Sequence, residues 1–169
     1  MTDGVTLRRS VPADLDFVIE LERRPDHIEV IGQWTELEHL SAMQSPRREH
    51  WIAERDAVRA GYLIAFDGRS AGVGIYLKRI LVADKGRGTG RSALMRFIGH
   101  ALLELEAPFV WLHVRDGNVR AQALYRSLGL RRFDPTPDVA RVLDAVAEPA
   151  EKGGFRMLLK KGDWRPMRS

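Results

Sequence analysis

The chain has 169 residues, 44% of them hydrophobic, and no cysteine. That suits one domain over 1–169 with a real core, and it rules out a disulfide framework, a thiolate metal site and a cysteine nucleophile. The formal charge of +4 is scattered along the chain, which fits a phosphate-bearing small ligand and speaks against nucleic acid, while the lack of a leader or a run near 20 apolar residues points to a cytoplasmic protein with no membrane partner.

In chain order, Val5, Leu7 and Arg9 belong to an alternating stretch that reads as a short strand. Ser10, Pro12 and Asp14 then precede Leu15, Val18 and Ile19 as in a capped helix start. Residues 23–34, with Pro25, Gly32 and mixed charges, read as a loop. Residues 35–43 read as a second short helix carrying Leu37 and Leu40, ended by Ser45 and Pro46. Stretches 51–53 and 60–65 read as strands, with a turn at Asp67 and Gly68, so an antiparallel meander is expected. The apolar run 74–82 leads into a glycine-rich loop, after which Leu94, Phe97, Ile98, Ala101, Leu102 and Leu105 recur at helical spacing.

A short buried strand is expected at 109–114. A turn at Asp116 and Gly117 follows, then a helix with Ala121, Leu124, Tyr125 and Leu128 on one side and Gly129 as its C′ residue. Residues 130–133 and 155–159 read as strands. Between them Thr136 and Pro137 open a helix whose Val139, Val142, Leu143 and Val146 share a face. The whole is an α/β mixture, α+β-like because strands cluster early, with no internal repeat.

Chemistry is expected where the strand meets the loop Lys85-Gly86-Arg87-Gly88-Thr89-Gly90-Arg91. Glycines let the backbone approach a ligand, and the first N–H groups of a helix with its dipole favour an anion such as a pyrophosphate. A plain glycine turn with solvated cations is the competing reading. The Walker pattern fails because Lys85 stands where its first glycine belongs. The dinucleotide pattern G-x-G-x-x-A is met by Gly88-Thr89-Gly90-Arg91-Ser92-Ala93, with Asp116 near the end of the next strand. Against it stand the antiparallel strands before the loop and the little chain left for a second half.

Two motifs in this order resemble the GNAT superfamily of N-acetyltransferases. The first is the Q/R-x-x-G-x-G/A loop, matched from Lys85 to Gly90 with Lys leading. The second is N-x-x-A-x-x-L-Y-x-x-x-G-F, matched by Asn118, Ala121, Leu124, Tyr125 and Gly129, with Leu130 in place of Phe. The likeness is good over 60–133, weaker over the first strand and helix with Asp14 and over the last strand, and it leaves 134–153 unexplained.

The resemblance implies a mixed, mostly antiparallel sheet splayed between its fourth and fifth strands and flanked by helices, with acetyl-CoA as co-substrate in the wedge and no metal. It sets Ile80, Leu81 and Val82 beside the pantetheine arm, with a main-chain N–H there for the oxyanion. It gives the pyrophosphate to backbone N–H groups of Arg87, Gly88, Thr89, Gly90 and Arg91, with a hydroxyl from Ser92, and counts Gly86 among the residues that bind the cofactor. Lys85 supplies charge without the fork of Arg. Asn118 caps its helix and, with Ala121, touches the pantetheine region, and Tyr125 protonates the departing thiolate.

The base that takes the amine proton stays open. Many relatives carry Glu where Tyr76 stands, and His113, or water relaying to Glu29 or Glu36, are the alternatives. Trp34, Trp51 and Trp111 read as packing residues, with no chemical role assigned. The acceptor expected from the resemblance is a primary amine, small molecule or peptide, received by segment 23–38, where Asp26, Glu29, Glu36 and Glu38 would attract an ammonium. A CoA-binding module without catalysis and a Rossmann-type dinucleotide binder are the competing functions. The 137–147 helix is left to cover a sheet edge, form a homodimer contact or wall the acceptor pocket.

Overall fold

The computed structural model describes residues 3–28 and 32–166. They fall into two compact units, one of 3–28, 32–65 and 79–97, the other of 66–78 and 98–166. In the first, β1 (Val5–Arg9) runs antiparallel to β2 (Arg48–Arg55), Val5 opposite Arg55 and Arg9 opposite Trp51. A two-residue turn leads from β2 into β3 (Val58–Asp67); Asp56 and Ala57 both take positive φ there, the geometry that matches strand twist in a tight hairpin. The helices of this unit are α1 (Leu15–Glu22), α2 (Pro25–Ile28), α3 (Glu36–Gln44) and most of α4 (Thr89–Gly99).

The expected loop at 23–34 thus contains α2. Pro25 is its first residue, where the missing N–H costs nothing and the fixed φ favours a helix, so the proline read as a breaker is a starter. α3 starts one residue later than expected because Thr35 is its cap, its hydroxyl accepting from the Glu38 N–H while Glu38 reaches back to the Thr35 N–H. Its buried face is different from the expected one: Leu37 is exposed, whereas His39 and Ala42 are buried. β2 is longer than its apolar centre at 51–53 because Glu49 and His50 are buried on polar partners.

β4 (Ile75–Val82) lies in both units, its first four residues in the second and the rest in the first. In the second unit it pairs in parallel with β5 (Phe109–Val114) through Ile75 to Val110, Tyr76 to Trp111 and Leu77 to Leu112. That register stops five residues before β4 ends. β5 pairs antiparallel with β7 (Phe155–Lys160), and β7 antiparallel with β6 (Arg131–Phe133). The seven strands take the order β1-β2-β3-β4-β5-β7-β6. No helix among the described residues is long and apolar enough to cross a membrane.

The helical pattern after the glycine loop holds to Gly99 and then widens into a π-type turn over His100–Glu104. α5 (Val119–Ser127) and α6 (Pro137–Ala147) complete the second unit. α6 buries Leu143 and Ala147, not the full face expected of it, and Val139 and Val142 are exposed. Asp144 on α6 accepts from Arg156 of β7 at 2.6 Å.

Candidate functional site

The glycine loop starts where β4 ends and closes where α4 begins. Gly86 and Gly88 sit at φ of 84° and 78°, a region where a Cβ is penalised, so the path of the loop depends on them. A Cβ built on Gly88 would meet nothing within 4 Å, so open space borders the loop there. Ser92 N–H gives the first helical bond, to Gly88 O at 3.0 Å, so the loop delivers the chain into a helix start, where the first N–H groups point out of the helix.

The loop is braced from β2 by Arg55, a residue with no sequence signal. Its guanidinium donates to Thr89 Oγ1 at 3.0 Å, Arg87 O at 2.9 Å and Asp3 O at 3.2 Å, and Thr89 is buried. Lys85 pairs with Asp26 at 3.3 Å and Arg87 with Asp84 at 3.3 Å. The Ser92 hydroxyl donates to Asp3. Ile80, half-buried, packs with Leu7 on the cluster of Val5, Ala53 and Ala93; Leu81 is buried and Val82 half-buried.

In the second unit, Asn118 caps α5: its side chain accepts from Ala121 N–H at 3.3 Å. Gln122, also unmarked by the sequence, is buried and donates to Arg115 O and Asp116 O, fixing the turn that precedes the cap. α5 ends in a Schellman motif, Leu130 N–H to Tyr125 O at 3.1 Å and Gly129 N–H to Arg126 O at 3.0 Å, with Gly129 at φ 100°. Tyr125 sits on the last turns of this helix, half-buried, and burial pushes its phenol up to about 12. It keeps its proton at neutral pH, as an ordinary phenol also does, and burial makes it the weaker acid.

The base that takes the amine proton is not singled out by the geometry. Tyr76 is buried, stacked on Trp111 with ring centroids 4.3 Å apart and edge-on to Phe66. His113 donates its Nε2–H to Gly153 O at the strand end, so that nitrogen is not a base. Glu36 is exposed, and Glu29 lies outside the described residues. Of the acidic residues expected to draw an ammonium, Asp26 is paired with Lys85 and Arg24, and Glu38 is spent on the α3 cap.

The first unit also holds a buried acid–base chain that the sequence did not announce. Glu22, 1% exposed at the end of α1, has Tyr62 OH at 2.7 Å, Arg79 Nη1 at 2.8 Å and His39 Nε2 at 2.7 Å on one oxygen, and Trp34 N–H at 3.4 Å on the other. His39 Nδ1 meets His50 Nε2 at 3.0 Å, and His50 Nδ1 meets Ser10 Oγ at 2.6 Å. Burial works to raise the pKa of Glu22, but His39, Tyr62 and the charge of Arg79 outweigh it and hold it below the usual glutamate value. Burial, reinforced by His39, pushes His50 down to about 3, so it is neutral at physiological pH.

The sequence model of the acetyltransferase (GNAT) family matches residues 15–130. No curated protein matches the chain. Among solved structures, the spermidine N-acetyltransferase of Vibrio cholerae in complex with CoA and spermine is similar, with a TM-score of 0.74 and 18% identity over 96% of this chain and 98% of that one. AAC(6')-Ib in complex with paromomycin and acetyl-CoA is similar at a TM-score of 0.73, with 20% identity over 99% of each chain. At these identities the likeness is one of fold. The antiparallel β5–β7 and β6–β7 pairs leave no parallel series after β5, which removes the dinucleotide-binding alternative. With its family model spanning more than half of its residues, the chain belongs to the GNAT acetyltransferase family.

Proposed function

We propose that the chain is a cytoplasmic N-acetyltransferase that passes the acetyl group of acetyl-CoA directly to a primary amine, small molecule or peptide, within a ternary complex. The observation that carries this reading is the loop between β4 and α4, where Gly88 stands at positive φ with open space beside it and a helix start behind it. Acetyl-CoA would supply an activated thioester. The residues that would hold it are Ile80, Leu81 and Val82, the loop from Lys85 to Arg91, Ser92, Asn118 and Ala121. Arg55 keeps the loop in shape, and Tyr125 holds the proton that a leaving thiolate needs.

A cationic amine is the favoured acceptor class. Two proteins of similar fold are known in complex with spermine and CoA and with paromomycin and acetyl-CoA. Within segment 23–38 of this chain, Glu36 is an exposed carboxylate on the first turn of α3.

Thiol release from acetyl-CoA across a panel of polyamines, aminoglycosides and N-terminal peptides tests the reading. The expected result is acceptor-dependent release, with Tyr125→Phe slowed roughly 10²-fold at unchanged acetyl-CoA affinity. Tight acetyl-CoA binding with no release for any amine would favour a CoA-binding module instead.

A further inference from the structure

A carboxylate as enclosed as Glu22 is a poor choice for stability alone, because its desolvation offsets most of what its partners return, and well-packed apolar residues commonly do as well. What Glu22 holds gives it a different role. It is the last residue of α1, so the segment proposed to receive the amine begins beside it. Its second oxygen accepts from Trp34 N–H, 12 residues along the chain, inside that segment and next to the Thr35 cap of α3. One carboxylate therefore ties the end of α1 to the entry of α3.

The same group sets the side chains around Trp34. The Arg79 guanidinium lies between Glu22 and the Trp34 ring, 2.8 Å from the carboxylate and 5.6 Å from the ring centroid. The His39 ring is 5.3 Å from Trp34 and 2.7 Å from the carboxylate. The groups that face Glu22 are Tyr62 from β3, Arg79 from β4 and His39 from α3, with His50 of β2 and Ser10 behind His39. His50 is neutral, so the charge opposite Arg79 is that of Glu22.

We infer that Glu22 is a positioning residue for amine binding, fixing Trp34 and the start of α3 through Arg79, His39 and the Trp34 main chain. This rests on the reading that segment 23–38 receives the acceptor. The cofactor loop shares none of these bonds, so amine and acetyl-CoA should respond differently when Glu22 changes.

The test uses Glu22→Gln and the paired replacement of Glu22 and Arg79 by Met, which removes both charges together and serves if Gln alone does not fold. Acetyl-CoA affinity, amine KM, kcat and thermal midpoint are measured for each with an acceptor found for the wild type. The expected result is an amine KM raised about tenfold or more with acetyl-CoA affinity within about twofold, the scale for losing a charged hydrogen bond. In the paired variant the midpoint should return toward wild type while KM stays high. An unchanged amine KM in the folded variants, or a KM that recovers together with the midpoint, would overturn the inference. Failure of the wild type to release thiol with any amine would instead bring down the acetyl-transfer reading on which it rests.

Discussion

In the first unit Glu22, His27, His39, Glu49, His50 and Arg79 are all buried, whereas in the second the interior is built from Ile75, Tyr76, Leu102, Val110, Trp111, Leu112 and Met157. Among the described residues, Gln122 is the one buried polar residue of the second unit, and Lys78, whose ammonium reaches Glu151 at 3.2 Å, stands at its margin. The first unit thus adds a network of charges and placed protons to an apolar core that includes Ile52, Leu63, Ile64 and Phe97, whereas the second rests on packing. The two should fail under different stresses, since a polar network depends on its protonation state and a close-packed aromatic core does not.

The largest effect expected is in the packed core. Trp111 is 1% exposed and stacked on Tyr76, so Trp111→Ala should cost about 3–5 kcal/mol through lost contacts and the cavity left behind. Denaturant unfolding at two pH values checks it. The loss should be the same near pH 8 and pH 5, and a loss that grows toward acid would blur the distinction between the cores.

The polar core should give a pH-dependent loss. The folded state keeps the His50 pKa near 3, against 6.5 for an ordinary histidine. Below pH 6.5 the unfolded chain takes a proton that the folded chain refuses until about pH 3, so stability falls with falling pH across that window. The slope approaches about 1.4 kcal/mol per pH unit for one proton. Glu22, whose folded pKa is depressed, adds a contribution of the same sign, present above its unfolded value and lost as pH falls through its folded one. Unfolding midpoints from pH 8 to pH 4 should therefore drop less steeply for His50→Gln than for the wild type. Parallel curves would mean that His50 is not buried as a neutral ring.

These two cores also differ in how much the sequence revealed. The loop at 85–91, the Asn118 cap and the Gly129 C′ residue depend on neighbours a few positions away, so residue type and spacing mark them, and the structure has all three where they were expected; the equally local signal of Pro25 was read as a break and starts a short helix. The apolar strands at 75–82 and 109–114 show themselves by composition. The acid–base chain joins Ser10 to His50 and Glu22 to Tyr62 across 40 positions, and Glu22 to Arg79 across 57. Each of these polar residues, taken alone, reads as surface. Arg55 was hidden in the same way, its three bonds reaching residues 32 to 52 positions away. A hint lay in α3, where His39 takes a core position and Leu37 does not, but the hint has meaning only once Glu22 is known to lie opposite.

Calorimetric titration of acetyl-CoA into the wild type and into Gly88→Val bears most directly on the claim that the loop after β4 receives the cofactor. Valine at Gly88 would fill the open space and strain a backbone at φ 78°. The account predicts saturable binding to the wild type and binding weakened at least tenfold in the variant, at an unfolding midpoint showing that the variant is folded. Absence of binding to the wild type, or equal affinity in the two proteins, would contradict it.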